Sequence, residues 1–104
     1  MNSPGKDAFV EVSAGLYRLE APLTFASVVS LRDPGLDLIN AATGGQGLTL
    51  DLHAVPAVDS AGLALLIDWL AEARSVSCEL KYQQPPATLL AIARLSDVEK
   101  LLAA

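Results

Sequence analysis

Residues 60–74 contain the pattern that most constrains the fold, an apolar stripe at helical spacing. The stripe consists of Leu63, Leu66, Ile67 and Leu70, at positions i, i+3, i+4 and i+7. It predicts a helix from Ser60 to about Arg74, which must bury this stripe against another layer of structure. A strand-like segment, Leu48 to Leu52, precedes this helix and carries leucines at alternate positions. The pattern therefore predicts a strand and a helix in adjacent layers.

Strand and helix patterns alternate along the rest of the chain. Strands are also predicted at 8–13, 16–20 and 76–82, and the first two are joined by Ala14-Gly15, which is typical of a tight hairpin. Short helices are expected at 87–94 and 97–102. We therefore expect four strands, the first pair of which is antiparallel.

A further helix is predicted where Phe25, Val28 and Val29 recur at helical spacing, with Thr24 as a candidate cap. The run Asp33-Pro34-Gly35 should kink or break this helix, because proline lacks a backbone donor and disfavours helix in the residue before it. Residues 36–42 would then form a second short helical piece, followed by a glycine-rich loop at 43–47.

The order β-β-α-β-α-β-α indicates an α/β fold. Helical crossovers make the later strand pairs parallel, so we expect a four-stranded mixed sheet with helices packed on it. A single domain should span 8–104, with residues 1–7 disordered. Segments that leave the C-terminal ends of parallel strands meet at one edge of the sheet. The segments expected there are Leu23–Ser27, Val58–Gly62 and Gln83–Pro86.

Charge and apolar content exclude some partners. The formal net charge of −5 repels phosphate backbones and anionic lipid, so nucleic acid is not expected to bind. The longest apolar stretch, Ala61 to Leu70, is interrupted by Asp68 and is too short to span a bilayer. No secretory signal is evident and Cys78 is the single cysteine, interpreted as a buried structural thiol. A cytoplasmic location is expected, with membrane contact only through a partner.

The sequence lacks the residue sets of common catalytic and cofactor sites. Asp51, His53 and Ser60 are not accompanied by the Gly-x-Ser-x-Gly turn of a hydrolase, and 44–47 lacks the Lys-Ser/Thr of a phosphate-binding loop. One histidine and one cysteine cannot form a His/Cys metal site, and the acidic cluster of a phospho-accepting receiver is missing. We therefore expect no enzyme activity and no cofactor.

Asp59-Ser60-Ala61-Gly62 opens the best-defined helix. Asp59 or Ser60 can cap it, and exposed amides at a helix start would favour an anion, including a phosphoryl group on Ser60. The alternative is a purely structural role, in which one residue caps the helix and Gly62 permits close packing.

The run from Leu50 to Leu66, LDLHAVPAVDSAGLALL, resembles the signature of STAS domains, which occur in anti-sigma factor antagonists and related proteins. Within that family, 23–28, 62–66 and 89–102 are most similar to the MlaB type, the STAS subunit of a bacterial phospholipid-transport ABC complex. The resemblance covers about residues 8–102. It implies a non-enzymatic adaptor that binds and supports the ATPase of an ABC transporter. That transporter moves phospholipid and maintains outer-membrane lipid asymmetry.

The alternative that the resemblance leaves open is an anti-sigma factor antagonist, whose partner is an anti-sigma factor kinase that phosphorylates Ser60. In both cases a partner-binding surface is implied. Its expected residues are Thr24, Ser27, Arg32, Val58, Asp59, Ser60, Ala61, Gly62, Leu65 and Trp69. The Asp33-Pro34-Gly35 run departs from the uninterrupted first helix that is usual in such domains.

Leu65 and Trp69 form an i, i+4 pair outside the main apolar stripe. They could anchor a partner protein, or Trp69 could pack on a neighbouring helix. A third possibility is a structural or metabolite-binding module, with this pair as a homodimer contact.

Overall fold

The computed structural model describes residues 4–42 and 47–102, which form one four-stranded sheet and five helices. The strands are β1 (Phe9–Ser13), β2 (Leu16–Leu19), β3 (Gly47–Asp51) and β4 (Glu79–Gln83). The helices are α1 (Pro4–Asp7), α2 (Val28–Ala41), α3 (Ser60–Ser75), α4 (Ala87–Leu95) and α5 (Glu99–Leu102).

The sheet confirms the predicted mixed α/β architecture. Its strand order is β1-β2-β3-β4, with β1 antiparallel to β2 and both later pairs parallel. Gly15 closes the hairpin at a φ of +79°, a region that glycine enters without steric cost. Residues 43–46, most of the predicted glycine-rich loop, lie outside the described residues.

A single apolar core joins the sheet to the helices. Leucines from the strands, including Leu19 and Leu50, pack with Leu66 of α3 and Leu89 of α4, and all four are at most 1% exposed. The Tyr82 hydroxyl of β4 donates a 2.6 Å hydrogen bond to the Leu66 carbonyl, so its polar group is satisfied within the core. α3 therefore forms the centre of the domain.

Helix α2 is continuous, and the predicted break at Asp33-Pro34-Gly35 is wrong. Pro34 lies inside the helix, and 36–42 is not a separate piece but continues α2 to Ala41. One face of α2, with Leu31, Gly35 and Ile39, is buried along its whole length. Burial of this face offsets the roughly 3 kcal/mol that an internal proline costs.

Trp69 holds α2 and α3 together at this point. Its indole Nε1 donates to the Arg32 carbonyl at 3.2 Å, and its ring meets that of Phe9 edge-on, 5.9 Å between centroids. A Cβ on Gly35 would lie 2.2 Å from Trp69 Cζ2. Only glycine at position 35 lets the two helices approach this closely.

The start of the first long helix and the N-terminal segment both differ from prediction. α2 begins at Val28 with Ser27 before it, rather than near Thr24. Phe25 and Val29, whose spacing contributed to the helix prediction, are 80% and 85% exposed. Within the segment predicted to be disordered, 4–7 form α1, which packs on α2; residues 1–3 lie outside the described part of the chain.

No helix within residues 4–42 and 47–102 combines the length and apolarity needed to cross a membrane.

Replacing Gly35 by alanine should destabilise the protein by about 1–3 kcal/mol, because the added methyl group would overlap the Trp69 ring. Urea denaturation followed by far-UV circular dichroism measures the change. Gly47→Ala is the matched control, since its nearest neighbour would be the Glu79 carbonyl oxygen at 3.9 Å. Equal unfolding midpoints for the two variants would contradict the close contact.

Candidate functional site

Two of the three segments predicted to meet at the sheet edge form a backbone junction. Leu23 and Val58 pair as an isolated parallel bridge. The Leu23 amide donates to the Ala57 carbonyl at 2.8 Å, and the Asp59 amide donates to the Leu23 carbonyl at 3.0 Å. The third segment, 83–86, bonds to the end of β3, where the Leu52 amide donates to the Gln83 carbonyl at 2.9 Å.

Gly62 allows the start of α3 to lie directly on this junction. A Cβ at position 62 would be 1.9 Å from the Leu23 carbonyl oxygen, which is backbone and cannot rotate away. The close-packing role considered for Gly62 is therefore confirmed. Ala61 is half-buried beside it, as is Val58 in the bridge.

Asp59 caps α3 and also binds the segment that follows Leu23. Its Oδ1 accepts hydrogen bonds from the Ala61 amide at 2.9 Å and the Gly62 amide at 3.2 Å. Its Oδ2 accepts one from the Phe25 amide at 3.0 Å. One carboxylate thus fixes both the helix start and the position of Phe25.

These bonds favour the ionised carboxylate of Asp59. The Phe25 amide is the largest cause that holds the pKa of Asp59 below its ordinary value of 3.8; partial desolvation opposes this effect, and the Gly62 and Ala61 amides add to it. Asp59 is therefore charged at neutral pH and remains so into the acid range.

The expectation of open amides at this helix start is wrong. Asp59 already occupies the Ala61 and Gly62 amides, and the Leu63 amide donates to the Asp59 carbonyl at 3.1 Å. A phosphoryl group on Ser60 would compete with the Asp59 carboxylate for these donors. The geometry does not provide a ready anion site.

Ser60 itself is exposed at the first position of α3. Among residues 4–42 and 47–102, its hydroxyl takes part in none of the observed side-chain hydrogen bonds. Asp51 and His53 form a separate cluster, in which the Asp51 carboxylate lies 2.9 Å from both the backbone N and the ring Nδ1 of His53. Nothing in this arrangement activates the Ser60 hydroxyl as a nucleophile.

Asp51 is nearly buried, with 9% of the residue exposed. Burial alone raises the pKa of Asp51, but hydrogen bonds from His53 and Gln83 outweigh that effect and leave the pKa lowered. The cluster ties the end of β3 to β4 and is therefore explained as structure.

Thr24 and Ser27 form the turn that leads into α2. The Ser27 hydroxyl donates to the Pro22 carbonyl at 2.6 Å and accepts from the Thr24 amide at 3.0 Å. Neither side chain caps α2. The turn leaves the Phe25 side chain exposed next to the junction. The sequence pattern did not predict an exposed aromatic side chain at this position.

Leu65 and Trp69 are not on the surface, which contradicts their assignment to a partner or dimer contact. Their exposures are 4% and 0%. The prediction from one apolar stripe included too few buried residues of α3. This helix packs on α2 as well as on β4 and α4. Trp69 instead packs on a neighbouring helix, the alternative role considered for it. Arg32 is accessible, with 60% of its side chain exposed and Nη1 3.4 Å from Asp33 Oδ1.

Asp59→Asn should lower the free energy of unfolding at neutral pH. In the wild type, one carboxylate oxygen accepts from Phe25 and the other from the α3 amides. Asparagine has one oxygen and one NH₂ group in these two places, so its NH₂ group must face a backbone N–H that it cannot accept from. Because the folded pKa of Asp59 is lowered, its contribution is present above the unfolded value and is lost as pH falls through the folded one. The difference in the free energy of unfolding between the wild type and the variant should therefore become smaller in acid.

Urea denaturation of both proteins between roughly pH 2 and pH 7 measures this difference. Asp37→Asn is the control, because Asp37 is exposed and takes part in none of the side-chain hydrogen bonds found in the described residues. A variant of Asp59 as stable as the wild type at pH 7 would show that the carboxylate is not a structural link.

Comparisons with known proteins agree with this geometry. The structure is similar to that of a Thermotoga maritima protein assigned as an anti-sigma factor antagonist, with a TM-score of 0.74 and 14% identity over 94% of this chain and 86% of the other. A crystal structure of Mglu matches with a TM-score of 0.61 and 16% identity, over 84% of this chain but 22% of that protein. At these identities the likeness concerns the fold alone.

No curated protein matches the sequence significantly. The family model described as "Mlab, STAS domain" matches residues 11–103. This match includes β2 to β4, the Leu23–Val58 junction and the capped start of α3. The chain therefore belongs to the MlaB-type STAS domain family.

Proposed function

We propose that this chain is a non-enzymatic docking subunit that binds and supports the ATPase of an ABC phospholipid transporter, and so helps to maintain outer-membrane lipid asymmetry. The observation that carries the proposal is the match to the MlaB-type family over residues 11–103. The protein would act in the cytoplasm and reach the membrane through its partner.

The site has the properties of a contact surface. Ser60 is exposed on a helix start whose backbone is fixed by Asp59 and Gly62, and Phe25 projects beside it with 80% of its surface exposed. A preordered surface loses little conformational entropy on binding. An exposed aromatic side chain next to a small polar one is a typical anchor at a protein interface.

Co-expression with the ATPase subunit of the phospholipid transporter of the same organism tests the proposal. The tagged chain should copurify with that ATPase and raise its ATP hydrolysis. Ser60→Glu should weaken binding by roughly tenfold or more, because it buries a charge and added volume at the contact. Titration calorimetry measures the affinity.

Ser60→Ala is the matched control and should bind like the wild type, since the hydroxyl makes no side-chain hydrogen bond in the described residues. Both variants should show wild-type unfolding midpoints, because residue 60 is exposed. Folded wild-type protein that binds no ABC ATPase would overturn the proposal.

The second candidate function is that of an anti-sigma factor antagonist switched by phosphorylation of Ser60. It is supported by the similar fold of the Thermotoga maritima protein and by the accessible Ser60 hydroxyl. In this case a phosphoryl group, with about −2 charge, would block docking of an anti-sigma factor kinase.

Intact-mass spectra of protein isolated from cells test this second function. A gain of about 80 Da on the wild type, absent from Ser60→Ala, would support the switch. Unmodified protein under conditions that activate the cell's sigma-factor kinases would contradict it.

A further inference from the structure

A groove of about 390 Å³ lies between α2 and α3, away from the backbone junction. Its lining consists of Arg32, Leu36, Asp68, Trp69, Ala71, Glu72 and Ser75. Its floor includes Trp69, which is fully buried and holds the two helices together. The groove is therefore a fixed feature of the helix pair.

Asp68 and Glu72 carry unmatched negative charge on the α3 wall. They are spaced i, i+4 and are therefore neighbours on the helix surface. Neither carboxylate takes part in the ion pairs found within residues 4–42 and 47–102. Across the groove, the Arg32 guanidinium lies beside Asp33 instead, with Nη1 at 3.4 Å from Oδ1. The wall thus has two carboxylates and no cation assigned to them.

A row of accessible and partly accessible side chains on α2 and in the turn before it leads toward this groove. Val29, Arg32 and Leu36 follow one another at i, i+3 and i+7 along α2, and Phe25 precedes Val29 by four residues. Phe25 and Val29 are 80% and 85% exposed. Val29 thus lies outside the buried face of α2, which contains Leu31, Gly35 and Ile39. On α3, Ser60, Ala64 and Asp68 are all exposed at four-residue spacing.

The two rows together form one face, which we call the α2–α3 face: Phe25, Val29, Leu36, Ser60, Asp68 and Glu72. Along α2 it is apolar except for Arg32, which lies beside Asp33, and along α3 it changes from small residues to acidic ones. Such a face complements a segment that has apolar side chains on one edge and lysine or arginine on the other.

We propose that the ATPase partner docks on the α2–α3 face through a segment that places an apolar side chain against Phe25 and Val29 and a lysine or arginine between Asp68 and Glu72. This inference rests on the proposed function and names the chemistry of its contact. The net charge of −5 also favours a basic partner surface.

A second copy of this chain fits the face less well. Two facing copies would bring four carboxylates of Asp68 and Glu72 against two Arg32 side chains, each of which already lies beside its own Asp33. An anionic lipid surface would be repelled by the same carboxylates. A basic protein segment is the occupant that balances the charge.

The test compares Asp68→Lys/Glu72→Lys with a control that changes the net charge equally, Glu11→Lys/Glu79→Lys, on exposed positions of β1 and β4. Titration of each with the transporter ATPase should show a loss of affinity of about tenfold or more for the first pair alone. The wild-type affinity should fall between 50 and 300 mM NaCl, and that of the α3 variant should change less, because salt screens the charge pairs.

Phe25→Ala/Val29→Ala tests the apolar half and should also lose about tenfold, with an unchanged unfolding midpoint since both side chains are exposed. Wild-type binding that neither pair of substitutions weakens would overturn the inference and leave the docking function standing. Failure of the wild type itself to bind the ATPase would overturn both. A sedimenting dimer abolished by the Asp68/Glu72 pair would assign the face to self-association and refute the inference.

Discussion

The placement of the candidate functional surface depends on the backbone junction at Leu23. Its amide and carbonyl are both bonded to the segment before α3, to Ala57 and Asp59, and its carbonyl lies against Gly62. Because Asp59 then reaches back to the Phe25 amide, two segments more than thirty residues apart share one rigid unit. Ser60 and Phe25 are exposed as a consequence of that unit rather than of loop flexibility.

Trp69 extends this rigidity along α2 and α3. Its ring occupies the space that Gly35 leaves, and its indole N–H reaches a carbonyl of α2 in the turn that contains Pro34. Gly5 of α1 lies against the Ser30 carbonyl, the group that residue 34 would bond in a regular helix; a Cβ there would be 1.8 Å away. The proline is thus accommodated by contacts on two sides, and α2 stays one continuous helix against α3.

The sequence predicted the sheet, α3 and its cap because those features depend on local patterns. Alternate leucines in β3, the hairpin at Gly15 and the Asp-Ser-Ala-Gly helix start each act within a few residues. The burial of Leu65 and Trp69 could not be predicted in the same way, because it depends on where α2 lies. The same applies to Pro34 and to Phe25, whose tertiary contacts override the helical spacing of the sequence.

The exposed Ser60 is better suited to contact with a partner protein than to binding an anion. Both candidate functions depend on such a protein contact at Ser60. The amides that would welcome a phosphoryl group already serve Asp59, so modification would act through bulk and repulsion rather than by ordering the helix. Asp68 and Glu72 follow Ser60 by two and three turns along α3 and are rotated from it by about 80° and 120° around the helix axis. A partner that contacts both the start of α3 and those carboxylates must therefore extend along and around the helix, and at Ser60 it meets a small exposed hydroxyl beside amide donors that are already occupied.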